Sequence, residues 1–494
     1  VALGALWAAT AALVSAVAAS ESGVDHWWPP GAPRILSATY SAPNATGVVT
    51  TLNLAGPVDT RRNAFFRPLG NNGRACVTCH QPSDGMSISV DTIKQRWNAT
   101  QGRDPLFAAI DGSNCPSLPQ GKAESHSLLL ERGLIRVFRP WPPKDSDGNT
   151  IDPEFTIEVV RDPTGCNTDR VYGLYSASPH VSVYRRPRPT TNTKYLTAIG
   201  FDFEPKNGLP MLVDPETGKP TSGNLMADAR ALTLEAQARD AMVGHLQVSG
   251  DLDPKLVEEV VAFESQLYTA QSFDNVGGRL DADGAQGGPE FLRRSQAGAL
   301  QSTAANPSWE EEFKAWRNAP AASAEQEAFR KSVLRGIEVY SRRTFLISDS
   351  AGLNDISMGN PIRDGCSMCH NMLRTGMDVA PGQVDLGTTN LPYADPSPEL
   401  PLFKLTCKTS VRPHPYLGRV VYTQDPGFAL TTGKCKDIGK ITMQQMRGLA
   451  ARAPYFSNGS AKTIREIVDF YDRRYNIGYT EQEKQDLVNL MRVL

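Results

Sequence analysis

Cys76-Val77-Thr78-Cys79-His80, and again Cys366-Ser367-Met368-Cys369-His370: one five-residue pattern stands twice in a chain of 494 residues. Each copy reads as a covalent haem attachment site. One turn of backbone brings both sulfurs to a single porphyrin edge, and the adjacent His then presents a ring nitrogen to the iron. Cys76, Cys79, Cys366 and Cys369 are thus the predicted attachment residues for two haem c groups. His80 and His370 are the predicted proximal metal ligands. A bare Cys-x-x-Cys would also suit a redox disulfide or half a zinc site; a His after both copies weighs against those readings.

The bulk composition is globular, with 40% hydrophobic and 21% charged residues and a net charge of −2. No long run of one sign points to nucleic acid or to an anionic membrane surface, so neither is an expected partner. Of the eight cysteines, four belong to the pentads. The others, Cys115, Cys166, Cys407 and Cys435, fall as one pair after each pentad and predict two disulfides. Residues 1–19 are small and apolar, ending Ala16-Val17-Ala18-Ala19. They read as a signal-peptide core and cleavage site, with an uncleaved anchor as the other reading. Haem c attachment normally takes place outside the cytoplasm. Both signals predict a periplasmic address, with no membrane required.

Along the chain, residues 20–60 read as an ordered but irregular N-terminal extension. Residues 61–275 read as a first haem domain, 276–324 as a linker with connecting helices, and 325–494 as a second haem domain. Helices are predicted at Ser87–Thr100, Ala227–Met242, Lys255–Ala270, Trp309–Arg317, Glu325–Arg342, Thr463–Arg474 and Glu481–Val493. Thr480 and Glu483 make a capping box before the last. Residues 101–225 are rich in Pro, Gly, Asp and Thr and read as loops with a few small strands, Phe155–Val160 among them.

Four stretches carry a family resemblance. They are Asn72–Ala75 leading into the first pentad, Tyr184–Asn192 followed by Phe201-Asp202, Leu234–Ala238, and Met446–Ser460 with its Ala453-Pro454-Tyr455-Phe456 run. Their order and content resemble the bacterial dihaem cytochrome c peroxidase and MauG-like superfamily. The resemblance implies a mainly α fold: two cytochrome c-like haem domains with long loops and a few short strands. It also implies reduction of peroxide at the N-terminal haem, with electrons relayed by the C-terminal haem from a small redox protein, a cytochrome c or a cupredoxin. Calcium between the domains is a further candidate cofactor.

The match departs from the family at the residues that would choose the chemistry. Phe201 stands where the family has a bridging Trp and is a candidate relay or packing residue. Gln247 falls at the position of the distal Glu; an amide cannot take a proton from peroxide as a carboxylate can. His245, two residues earlier, is a candidate base, distal ligand or hydrogen-bonded structural His. Near the second haem Lys440 occupies the position of the family's distal Met. Met443 is the candidate metal ligand there, with Met446 and His414 nearby. Ser457 replaces a His found in many relatives. Tyr184, Arg185 and Arg186 are candidate partners of haem propionates, since Arg offers planar bidentate donors. His126 and His180 read as surface or structural.

The leading expectation is therefore a cytochrome c peroxidase-like dihaem oxidoreductase. A dihaem oxygenase or MauG-like maturase acting on an organic or protein substrate, with oxygen in place of peroxide, is the second reading. A non-catalytic dihaem electron carrier is the third.

Overall fold

Side-chain caps set the starts of most helices. A computed structural model describes residues 27–145, 148–197, 221–299, 310–370 and 383–494; the predicted leader at 1–19 and Phe201 lie outside the described residues. Ser89, Thr233, Ser323, Thr463 and Thr480 each accept a backbone N–H from the first turn that follows. That hydrogen bond satisfies a donor the helix itself leaves open. Thr233 moves the start of the predicted Ala227–Met242 helix to Leu234, so the helix runs Leu234–Gly244. The capping box of Thr480 and Glu483 is present.

The expectation of a mainly α fold is overturned. Helix accounts for 32% and strand for 18%, with several small antiparallel sheets, which is a mixed α/β architecture. The extension read as irregular forms a hairpin, Thr39–Asn44 with Gly47–Asn53, whose second strand pairs with Leu267–Asp274. Gly278–Arg279 completes that four-stranded sheet. The helix predicted to reach Ala270 stops at Glu264, and its last residues enter the sheet instead. Thr51 meets Thr269 across the register, their hydroxyls 2.8 Å apart. A second sheet pairs Phe155–Arg161 with Leu402–Cys407, and the latter with Val420–Thr423. It joins segments from both predicted haem domains.

Both disulfides form as predicted, Cys115–Cys166 and Cys407–Cys435, with Cα atoms 5.1 and 6.0 Å apart. Among the described residues no helix is long and apolar enough to cross a membrane.

Three apolar clusters do most of the packing. One gathers Trp28, Phe65, Phe66 and Phe263 beside the first pentad. A second lies beneath the Phe155–Arg161 sheet. The third packs Phe329, Val333 and Ile337 of the Ala324–Arg342 helix against Leu487, Leu490 and Met491 of the Glu481–Arg492 helix. Gly336 allows that last crossing: a Cβ there would press into the carbonyl oxygen of Asp486. Gly336→Ala would gain about 1 kcal/mol of helix propensity, but overpacking of this kind costs typically 1–3 kcal/mol. The variant is expected to unfold at lower denaturant than the parent. An equal or higher midpoint would show that the two helices have slack at this crossing.

Candidate functional site

Each pentad folds as a single turn that ends on its His. Cys76–Thr78 and Cys366–Met368 are 3-10 turns, and the backbone N–H groups of His80 and His370 reach back to the carbonyls of Cys76 and Cys366 at 3.1 and 3.0 Å. The turn places two sulfurs and one imidazole on the wall of a cavity. Cys76, Cys79 and His80 line one cavity of about 1370 Å³ of non-atom space, open to solvent. Cys366, Cys369 and His370 line another of about 1290 Å³. Met443, Gln444 and Gln445 line both, so among the described residues this segment is the wall the cavities share.

The residues present fit a covalently held haem in each cavity. None of the four pentad cysteines is in a disulfide, whereas the other four form two. Burial pushes the thiols of Cys76, Cys79 and Cys366 up, Cys79 to about 11, so these three are not poised thiolates. Among the described residues no group of three or more His, Cys, Asp or Glu is placed to hold a metal ion by itself. Burial also holds His80 down to about 4, so its imidazole is neutral, the form that ligates iron. Its Nδ1 is buried and makes no hydrogen bond of ordinary geometry, although the backbone of Met86 and Arg188 lies close enough to favour the proton. The second cavity is walled by aromatic rings. Tyr340 donates to the His370 carbonyl at 2.9 Å and also lies 3.3 Å from Met446 Sδ, and Tyr471 sits edge-on to the His370 ring at 6.4 Å.

The structure brings His245 into the first cavity and leaves Gln247 outside it. His245 ends the Leu234–Gly244 helix and lines the cavity, with Nδ1 2.5 Å from Asp111 Oδ2. Asp111 also pairs with Arg74. Burial works to raise the Asp111 carboxyl, but Arg74 and His245 more than offset it and hold it below its usual range. With Nδ1 committed to Asp111, Nε2 is the nitrogen left for the cavity. Asn72 secures the turn from the other side by donating to the His245 carbonyl at 2.8 Å. Gln247 follows with a φ of 54°, is exposed, and contributes its backbone carbonyl to Asn71. Gln237, one turn earlier than Ala241 on the same helix, lines the cavity with His245.

Other predicted residues find varied places. Met443 is buried against Leu196, Leu386 and Cys369 in the shared wall. Ser457 lines the second cavity. His414 is buried in a separate polar cluster, its Nε2 3.6 Å from Asp385, and Lys440 pairs with Asp437 at 3.1 Å. His126 lies between the carbonyls of Gly112 and Gln120 as a structural residue. Tyr184 bonds the Asn114 carbonyl, and Arg185 is taken by Asp228 and Asp425 at 2.7 and 2.6 Å.

The sequence reading missed Glu264. It closes the Pro254–Glu264 helix, is 3% exposed, lines the first cavity, and has no partner for Oε2. A signal was present: Glu264 is four residues after Val260, on the apolar face of its helix. Burial alone pushes its carboxyl from 4.5 to about 8. The folded chain therefore keeps a proton that the unfolded chain releases near 4.5, and the contribution to stability falls as pH rises through about 8. Glu264→Gln is expected to match the parent in denaturation at pH 4.5. At pH 8.5 it should exceed the parent by roughly 1–3 kcal/mol. Equal stability at both pH values would show that Glu264 is ionised in the folded protein.

No protein-family model matches the chain. No solved structure matches it either. The chain is similar to the cytochrome-c peroxidase IdrP1 of Denitromonas iodatirespirans, 27% identical over 286 residues, which covers 53% of this chain and 62% of that protein. It is also 35% identical over 81 residues to the cytochrome-c peroxidase IdrP1 of Pseudomonas sp. (strain SCT), 14% of this chain and 21% of that protein. The chain thus spans less than two thirds of the length of either relative. Two likenesses of this name, at modest identity and the longer over about half the chain, support a cytochrome c peroxidase-type family.

Proposed function

We propose that the chain is an exported, periplasmic dihaem c-type oxidoreductase that reduces peroxide. One observation carries the reading: four pentad cysteines outside any disulfide, each pair with its His, line two cavities that share the Met443–Gln445 segment. A haem held in each cavity supplies the redox chemistry, with peroxide consumed on the His80 side and electrons entering from a small donor protein on the His370 side. His80 and His370 are the proximal ligands. His245 moves the proton at peroxide through Nε2, while Asp111 fixes its tautomer and supports the imidazolium. Gln237 lines the same cavity and is placed to donate a hydrogen bond to the bound substrate.

The names of the relatives support peroxide as the substrate. The apolar and aromatic second cavity supports an electron-receiving role, because among the described residues its lining holds no pair comparable to His245 and Asp111.

Haem content by alkaline pyridine spectra is expected to be two per chain. In half-reduced protein, peroxide should change the electronic and EPR spectra of the His80-side haem. Fewer than two haems, or an unchanged spectrum, sinks the proposal; two low-spin, unreactive haems identify an electron carrier instead. His245→Ala is expected to keep both haems and slow the peroxide reaction on the order of 10²–10⁴-fold. A change from low to high spin in that variant would instead make His245 an iron ligand.

A further inference from the structure

Three arginines flank the wall between the cavities, Arg186 and Arg452 buried and Arg188 partly buried, and among the described residues none of them is in an ion pair. Arg186 donates to the carbonyls of Ile88, Arg452 and Gly133 at 2.5, 2.9 and 3.3 Å. Arg188 donates to Thr442 and Met443 at 2.7 and 3.1 Å, and Arg452 donates to the Gln445 carbonyl. Every one of these acceptors is a neutral carbonyl. Among the described residues none of the three arginines forms an ion pair, although Arg185 beside them has two carboxylates. The Nε atoms of Arg188 and Arg452 are buried without a partner. Arg186 and Arg188 line the first cavity and Arg452 the second.

Such an arrangement is costly by itself. An unpaired buried charge costs several kcal/mol after relaxation, and these guanidiniums also repel one another. Burial first, then neighbouring arginines, push Arg186 down to about 10 and Arg188 to about 9; burial does the same to Arg452, to about 10. The cost is offset if what fills the cavities brings negative charge to this edge. Carboxylates are the matching chemistry, since a guanidinium with a free Nε offers a second donor for a bidentate pair.

We propose that Arg186 and Arg188 on one side, and Arg452 on the other, dock the propionate edges of the two haems, and that the Thr442–Gln445 backbone, gripped by Arg188 and Arg452, couples the two sites. This rests on the dihaem reading above. It moves the propionate contact from Tyr184 and Arg185, which are otherwise engaged, to Arg188 and Arg452. In place, each arginine's positive charge disfavours the more positive oxidised iron and so raises the midpoint potential of the haem it touches; removing the charge lowers it.

The test is a spectroelectrochemical titration of the holoprotein, after haem counting, on the parent and on Arg188→Gln, Arg188→Lys and Arg452→Gln. Arg188→Gln should lower the midpoint of the His80-side haem, and Arg188→Lys should restore most of it. Arg452→Gln should lower the His370-side midpoint and shift the other through the shared segment. Two haems with parent midpoints in both Gln variants overturn the proposal. If Arg188→Gln loses a haem and Arg188→Lys keeps both, positive charge is what retention needs, which supports it. Loss in both alike makes residue 188 a packing position and overturns it. A parent with fewer than two haems overturns the dihaem reading itself, a result separable from all of these.

Discussion

The protein's interior is organised around two cavities, each above 1,000 Å³, rather than around one continuous core. Protein interiors are otherwise packed as densely as organic crystals. Apolar side chains that line such a space lose packing contacts wherever nothing lies against them. Whatever occupies the cavities is therefore a structural member, and the surrounding clusters are best understood as its walls. The Phe65, Phe66 and Phe263 group backs the first pentad, and the Ala324–Arg342 and Glu481–Arg492 helices back the second. The Gly336 crossing matters for that reason, because Tyr340, Leu487 and Met491 on those helices line the second cavity.

Placing both cavities against one segment requires the two halves of the chain to be held together firmly. Strand pairing does part of this, through Phe155–Arg161 against Leu402–Cys407. Buried ion pairs do another part: Arg185 meets Asp228 and Asp425, and Arg447 meets Glu312 at 2.8 Å with both side chains fully buried. Burying a pair adds little net stability compared with apolar packing. It does specify one arrangement, since any other leaves a charge alone.

The legible features were those encoded within a few residues. The pentads, the capped helices and the Thr480–Glu483 box depend on spacing of five residues or fewer, and the sequence shows them. The disulfides were legible from pairing alone. The sheets were not, because their strands find partners far away: Val49 pairs with Gln271, and Phe155 with Cys407. Short strands in Pro- and Thr-rich segments carry little local signal, so the fold read as more helical than it is. The end of the Pro254–Glu264 helix was missed for the same reason. Leu267 fits a helical face as well as a strand, and only the neighbour at Asn53 decides.

Within the site, residue type was easier to read than direction. His245 and Gln247 are two residues apart, yet one lines the cavity and the other is exposed, because the chain turns through a positive φ at Gln247. An ungapped match cannot register such a turn. Asn72 and Arg74 set it by holding the His245 carbonyl, and Asp111 holds the imidazole, all of them more than a hundred residues away. Met443 makes the parallel case at the wall. As a sequence feature it suggested an iron ligand; in the fold its thioether lies against Cys369 and Leu196, one on each side of the divide. Its backbone carbonyl, meanwhile, is held by Arg188. Among the described residues, the segment carrying Met443 is the wall that both cavities share. Communication across it would then depend on the backbone from Thr442 to Gln445 and on the charges that fix it, more than on the identity of any single side chain it carries.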